Sequence, residues 1–151
     1  TDWRVDCFWL ALHGRYLQRA CWQSSIALSL PRLQHVPDRF DIPALVSNRE
    51  MVQIMLAMRL FLPEAGFNVS TREAPAFRDH LIPLGTTMMS AGSSTRPGGY
   101  VTTGDDVLEQ FAIDDLRSLD EVAQVIRAAG YDPVWKDFDR AFDAVDREAL
   151  T

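Results

Sequence analysis

Three short apolar runs in this chain each end on a cluster of small hydroxyls and arginine. Ile26-Ala27-Leu28 runs into Ser29-Leu30-Pro31-Arg32, Phe67-Asn68-Val69 into Ser70-Thr71-Arg72-Glu73, and Thr87-Met88-Met89 into Ser90-Ala91-Gly92-Ser93-Ser94-Thr95. Apolar runs this short, bounded by turn-forming residues, read as buried strands. Helical patterns separate one run from the next, so the unit is strand then helix, which predicts an α/β fold with a parallel sheet. Right-handed crossovers between parallel neighbours put the strands' carboxyl ends on one side. Barrels of this kind build their active sites there, so the three clusters are expected to converge on one ligand.

The helices are marked by caps and by period. Asp2 precedes an apolar stripe of Val5, Phe8, Trp9, Leu12, Tyr16 and Leu17, the three-four spacing of an amphipathic helix. Ser47 and Glu50 form a capping box ahead of Met51, Ile54, Met55, Met58 and Phe61, and that helix stops near Pro63. Pro75 suits the first turn of a shorter helix carrying Phe77 and Leu81 and ended by Pro83. Ser118 and Glu121 form a second capping box before Val122, Val125, Ile126 and Ala129, with Gly130 as the left-handed stop. Arg96 to Asp106 has the composition of a loop, and Val134 to Asp146 alternates aromatic and acidic positions as a closing segment would.

At 151 residues the chain makes one ordinary domain, but it is short of the roughly 250 residues of a complete eight-unit barrel, so it reads as part of one. A net charge of −6, with arginines scattered singly among acids, argues against a nucleic-acid or anionic-membrane surface. No apolar stretch approaches a membrane span, and the expectation is a cytoplasmic protein. Cys7 and Cys21 have no partner at metal-ligand spacing and are expected to be buried thiols. His13, His35 and His80 are scattered, with no second ligand one helical turn away, and read as surface or capping residues.

Chemistry is carried by the strand ends. Arg72, after Ser70 and Thr71, can grip a carboxylate with both arms of its guanidinium while the hydroxyls take an amine or a ribose; an ion pair with an acid such as Glu73 accounts for it equally well. Glu73 is the carboxylate beside the site, available as acid, base or orienting partner. Arg32 can hold a second anionic group, or stand as a solvated charge. Ser90 opens a segment in which Gly92 admits close backbone approach and amides and hydroxyls face a polar ligand. That segment lacks the glycine spacing of a nucleotide fingerprint.

Taken together, Trp22-Gln23-Ser24, Ser29 with Pro31-Arg32-Leu33, Leu60-Phe61, Ser70-Thr71-Arg72-Glu73, Ile82-Pro83-Leu84-Gly85, Ser90 to Thr95, Pro97-Gly98-Gly99-Tyr100, Leu108-Glu109-Gln110-Phe111 and Pro133 to Asp137 resemble the 2-iminoacetate synthase family, the tyrosine lyases of thiamine biosynthesis. The resemblance runs from Asp2 to Asp139. It implies a radical S-adenosylmethionine enzyme on a (β/α) TIM-type barrel, with this chain as the C-terminal part: about three βα units over residues 1–100 and a short, mainly helical tail over 101–151. The implied reaction splits L-tyrosine into 2-iminoacetate (dehydroglycine) and p-cresol, using a 4Fe-4S cluster and S-adenosyl-L-methionine, and hands the imine to thiazole synthase. By resemblance Ser70, Thr71 and Arg72 bind the amino-acid head group, with Arg72 on the carboxylate, and Glu73 is expected among the substrate-binding residues. Ser29, Arg32 and Ser90 complete the substrate or S-adenosylmethionine wall. The family's Cys-x3-Cys-x2-Cys loop has no counterpart here, so no metal ligand is expected in this chain, which by itself should be catalytically silent and lacks the N-terminal half of the barrel. A non-catalytic docking or split-barrel module is the alternative. The hydrogenase-maturation tyrosine lyases and biotin synthase are the neighbouring families with a similar layout.

Overall fold

The computed structural model describes residues 2–33, 44–94 and 112–135. Strands β1 (Ala27–Ser29), β2 (Gly66–Val69) and β3 (Met88–Met89) form one parallel sheet in the order β1-β2-β3. Ala27 lies opposite Gly66, Leu28 opposite Phe67, Ser29 opposite Asn68, and Asn68 in turn opposite Met88. The strands are those expected, displaced by about one residue, because apolar character alone does not mark where ladder hydrogen bonds begin.

Helix α1 (Trp3–Ala20) leads into β1, α2 (Asn48–Phe61) crosses from β1 to β2, and α3 (Pro75–Leu81) continues as a 3-10 turn through Leu84 before β3. α4 (Leu119–Ala128) follows the sheet. Their starts are chemically specified. The Asp2 carboxylate accepts from the Arg4 amide, and both capping boxes form, Ser47 with Glu50 and Ser118 with Glu121. Gly85 and Gly130 end their segments with φ of 105° and 87°, a region where a side chain is strained.

Side chains alternate along a strand, so one face carries Leu28, Phe67 and Val69 and the other Ala27, Ser29, Asn68 and Met88. The first set is buried with Ile54, Met55 and Met58 of α2, Leu62, Ala65 and Leu81. Trp3, Cys7, Leu10 and Ala11 of α1 and Phe77 of α3 pack on the same cluster. Burial of Phe67 alone contributes roughly 2–3 kcal/mol. The three helices thus cover a single face of the sheet.

The face that α1 presents differs from the expected one. Gly14 is buried, with Leu62 filling the space where a Cβ would stand, whereas Val5, Phe8, Trp9 and Tyr16 of the predicted stripe are about half exposed or more. The helix is apolar on two sides, and the smaller residues allow the closer approach to the core. In α2 the stripe holds through Met58, but Phe61 is exposed and Leu62, one residue on, is fully buried as the helix ends.

Arg59 fastens the opposite end of the sheet. It lies over the Phe67 ring at 4.4 Å and donates to the carbonyls of Pro63, Ala65 and Gly85. A Cβ on Gly85 would stand 3.0 Å from Arg59 Nε. Gly85→Ala is therefore expected to cost about 1–2 kcal/mol, from the left-handed φ together with displacement of the guanidinium. Urea titration checks this, and an unchanged midpoint would contradict it. His35, the loop from Arg96 to Asp106, and Phe138 and Phe142 of the closing segment lie outside the described residues.

Candidate functional site

Parallel order brings the carboxyl ends of all three strands to one side, and the loop after β1 meets the loop after β2 through Arg32 and Glu73. Arg32 Nε donates to both Glu73 oxygens at 2.9 and 3.2 Å, and Nη2 reaches Oε2 at 2.5 Å. Nη1 donates to the Val46 carbonyl at 2.8 Å, Nη2 also donates to Asn48 Oδ1, and the guanidinium lies 5.0 Å over the Phe77 ring. Arg32 is 11% exposed and Glu73 5% at their side chains, so this bidentate pair is largely desolvated. The pair ties β1 to β2 and to the starts of α2 and α3.

Next to it, the Arg72 amide donates to Ser70 Oγ at 3.4 Å, and Arg72 Nη2 reaches the Arg32 carbonyl at 3.4 Å. Thr71 is buried. Ser29 is exposed at the end of β1, and Ser90 extends the ladder from β3, its amide donating to the Val69 carbonyl at 3.1 Å. Ser70 to Glu73 and Arg32 thus form one cluster. Ser90 also borders a cleft of about 920 Å³ between β3, α4 and residues 131–135. The sequence suggests Arg72 as the cation beside Glu73; the structure pairs Glu73 with Arg32, from the adjacent strand end, a contact between residues 41 apart that sequence neighbourhood does not reveal.

A second charged cluster lies behind these loops. Arg78, on α3, is fully buried, with Nη1 on Asp115 Oδ2 and Nη2 on the Ser90 carbonyl. Its Nε has no hydrogen-bond partner among the described residues. Asp115 also accepts from the Arg117 amide at 3.1 Å and from Arg117 Nε and Nη2 at 2.9 and 2.7 Å, and Arg117 reaches Asp79 at 2.8 Å. Main-chain bonds extend the network. The Asp114 and Asp115 amides both donate to the Thr71 carbonyl, and the Gly92 amide donates to the Arg117 carbonyl.

The electrostatics follow from that arrangement. Burial pushes the Asp115 carboxyl up, but hydrogen bonds from the Arg117 side chain and backbone and from Arg78 outweigh it and lower it to about 2. Arg117 is raised by its hydrogen bonds to Asp115 and Asp79, and Arg78 is lowered by burial. Asp115 is lower in the folded state than its ordinary 3.8. Its contribution is therefore complete above about pH 4 and lost as the pH falls toward 2, roughly 2 kcal/mol in all. Acid unfolding monitored by circular dichroism should move to higher pH when Arg117 is replaced by Met. An unmoved acid midpoint would contradict this assignment.

None of this second cluster stands out in the sequence. Arg78 sits between Phe77 and Asp79 on a short helix, and Asp114-Asp115 reads as a solvated acidic pair. The one available signal is a charge on a short helix between the core positions Phe77 and Leu81. Two expectations are corrected. Cys21 is exposed and Cys7 only partly buried, because the helix ends at Ala20 and Cys21 falls in the turn that follows. The Cys7 thiol is pushed up by burial and by Asp6. His13 and His80 are exposed as expected, His80 lying 2.6 Å from the Ala76 carbonyl. Among the described residues no group of three or more His, Cys, Asp or Glu could hold a metal ion, and no helix is long and apolar enough to cross a membrane.

Comparison with known proteins places this geometry. The chain is 42% identical over 138 residues to the 2-iminoacetate synthases of Salmonella typhimurium and Escherichia coli, covering 91% of its own length and 36% of theirs. It therefore spans about a third of the curated relatives it matches. Among solved structures it resembles a crystal structure of HydG, a maturase of the FeFe-hydrogenase, with a TM-score of 0.76 and 28% identity, covering 87% of this chain and 28% of that one. HydG from Carboxydothermus hydrogenoformans matches with a TM-score of 0.66 and 33% identity, over 81% of this chain and 28% of that one. The family model described as Biotin and Thiamin Synthesis associated domain matches residues 29–132, a span that holds every candidate strand-end residue and the Arg78–Asp115 cluster. The chain belongs to the biotin and thiamin synthesis associated domain family.

Proposed function

We propose that this chain is the C-terminal third of a 2-iminoacetate synthase, and that it forms the amino-acid side of a site that cleaves L-tyrosine to 2-iminoacetate and p-cresol. The observation that carries this reading is the 42% identity to two such enzymes over 91% of the chain. The identity to the hydrogenase maturases is lower, 28% and 33%, which favours thiamine biosynthesis over hydrogenase maturation. The sheet supports the barrel origin. Among the described residues α1, α2 and α3 pack on its Leu28–Phe67–Val69 face, while a wide cleft separates the Asn68–Met88 face from α4, and a parallel sheet requires cover on both. In the proposed enzyme residues 1–100 supply the last βα units of a TIM-type barrel, residues 101–151 form the tail, and the N-terminal half closes the barrel.

The residues described here do not fit a 4Fe-4S cluster: Cys7 and Cys21 belong to no metal-ligand group, and such clusters are held by cysteine thiolates. The ligands then come from the N-terminal half, and this chain contributes binding and orientation. Arg72 takes the tyrosine carboxylate, with Ser70 and Thr71 around the amino group. Glu73 and Arg32 act together, their ion pair holding the two strand ends in register. Ser29 and Ser90 face the substrate or S-adenosylmethionine. The cytoplasm as compartment and thiazole synthase as receiver of the imine belong to the same proposal.

The chain alone, given L-tyrosine, S-adenosylmethionine and reductant, is expected to yield no p-cresol. Mixed with a cluster-loaded N-terminal portion of a 2-iminoacetate synthase, it should restore p-cresol formation. Folded, cluster-loaded halves that bind each other without producing p-cresol would instead support a docking module.

A further inference from the structure

We propose that Arg78 and Asp115 are positioning residues of the tyrosine site, setting the separation between the loop after β2 and the loop after β3. This rests on the functional reading above and adds to it two residues that touch no substrate. The two loops carry the candidate ligand-binding residues, Ser70 to Glu73 on one side and Ser90 on the other. Each is held at its main chain by the same device. The segment around Asp115 donates two amides to the Thr71 carbonyl, so the end of β2 follows Asp115. Arg78 donates to the Ser90 carbonyl, so the end of β3 follows Arg78. The Arg78–Asp115 pair joins them, and both side chains are fully excluded from solvent. A third link, from the Gly92 amide to the Arg117 carbonyl, holds the far side of the second loop.

Adhesion alone does not account for this construction. An apolar side chain would attach α3 to the loops without desolvating a cation. What an apolar residue lacks is direction. The guanidinium is a rigid planar fork, and here one arm holds the carboxylate and the other the carbonyl, which fixes an angle as well as a contact. Two loops held at a fixed separation present a preformed pocket to a ligand that both contact. Loosening them weakens substrate binding more than the chemistry that follows it.

The test uses the full-length enzyme carrying this segment and follows p-cresol formation over a range of L-tyrosine concentrations. Arg78→Lys keeps a positive charge beside Asp115 but replaces the two-armed planar fork by a single nitrogen on a flexible stem, so the angle between the two partners is no longer fixed. It is expected to raise the KM for tyrosine about tenfold while kcat stays within about threefold, with Tm lowered by only about 4 °C. Arg78→Met/Asp115→Leu, which replaces the pair with apolar volume, should show the same split, and it carries the test if the lysine variant does not fold. A lowered Tm with an unchanged KM in a folded variant would mean a purely structural network and overturn the proposal. Wild-type enzyme that makes no p-cresol from tyrosine would overturn the functional reading and this proposal with it.

Discussion

Asp115→Ala should lower the unfolding free energy by about 3–5 kcal/mol, the cost of leaving a buried charge without its partner. Asp115 is 1% exposed and sits between Arg78 and Arg117. Arg117 is 19% exposed at its side chain and keeps Asp79, so water and a second carboxylate compensate it. Arg78 is fully buried and among the described residues its Nε has no partner; of the acceptors its guanidinium has there, removal of Asp115 leaves the Ser90 carbonyl. For a chain of this size the loss corresponds to a fall in Tm of about 10 °C or more. Replacing both members of the pair by apolar residues should cost far less, since the desolvation penalty goes with the charges. Urea titration of the two variants side by side separates these effects. A loss below about 1 kcal/mol for Asp115→Ala would show that the pair is solvated in solution.

Arg72→Ala in the full-length enzyme should weaken L-tyrosine binding about 100-fold, the loss of a charge-assisted, two-armed contact to a carboxylate. The guanidinium reaches the Arg32 carbonyl at 3.4 Å, at the rim of the Arg32–Glu73 pair, and Arg32 itself is engaged by Glu73, Val46 and Asn48. Arg72 directly follows Ser70 and Thr71 at the end of β2, which is where the proposed reading seats the amino-acid head group. Tyramine, which lacks that carboxylate, provides the control. Wild type should prefer tyrosine over tyramine strongly, and Arg72→Ala should bind both about equally. Unchanged tyrosine affinity in the variant would move the carboxylate contact elsewhere.

Much of the fold is legible in the sequence because its signals are local. Both capping boxes, Pro75 at the first helical turn and Gly130 at the end of α4 depend on residues within one turn of each other, and all form as expected. The strand-end clusters are equally visible, since hydroxyls and arginine after an apolar run need no distant partner to be recognised. What escapes is what depends on tertiary contact. The wider apolar stripe of α1 suggests the core face, yet Gly14 and Ala11 face the core because Leu62 fills the space a larger residue would need. Cys21 is exposed because the helix ends one residue before it. The Arg78–Asp115 pair joins residues far apart in the chain, and neither a period nor a cap announces it.

The most direct measurement is the product profile of the full-length protein carrying this segment, anaerobically reconstituted and supplied with L-tyrosine, S-adenosylmethionine and reductant. The account predicts p-cresol formed together with 2-iminoacetate, detected as its hydrolysis product, in equal amounts. Consumption of S-adenosylmethionine with tyrosine left intact would contradict it.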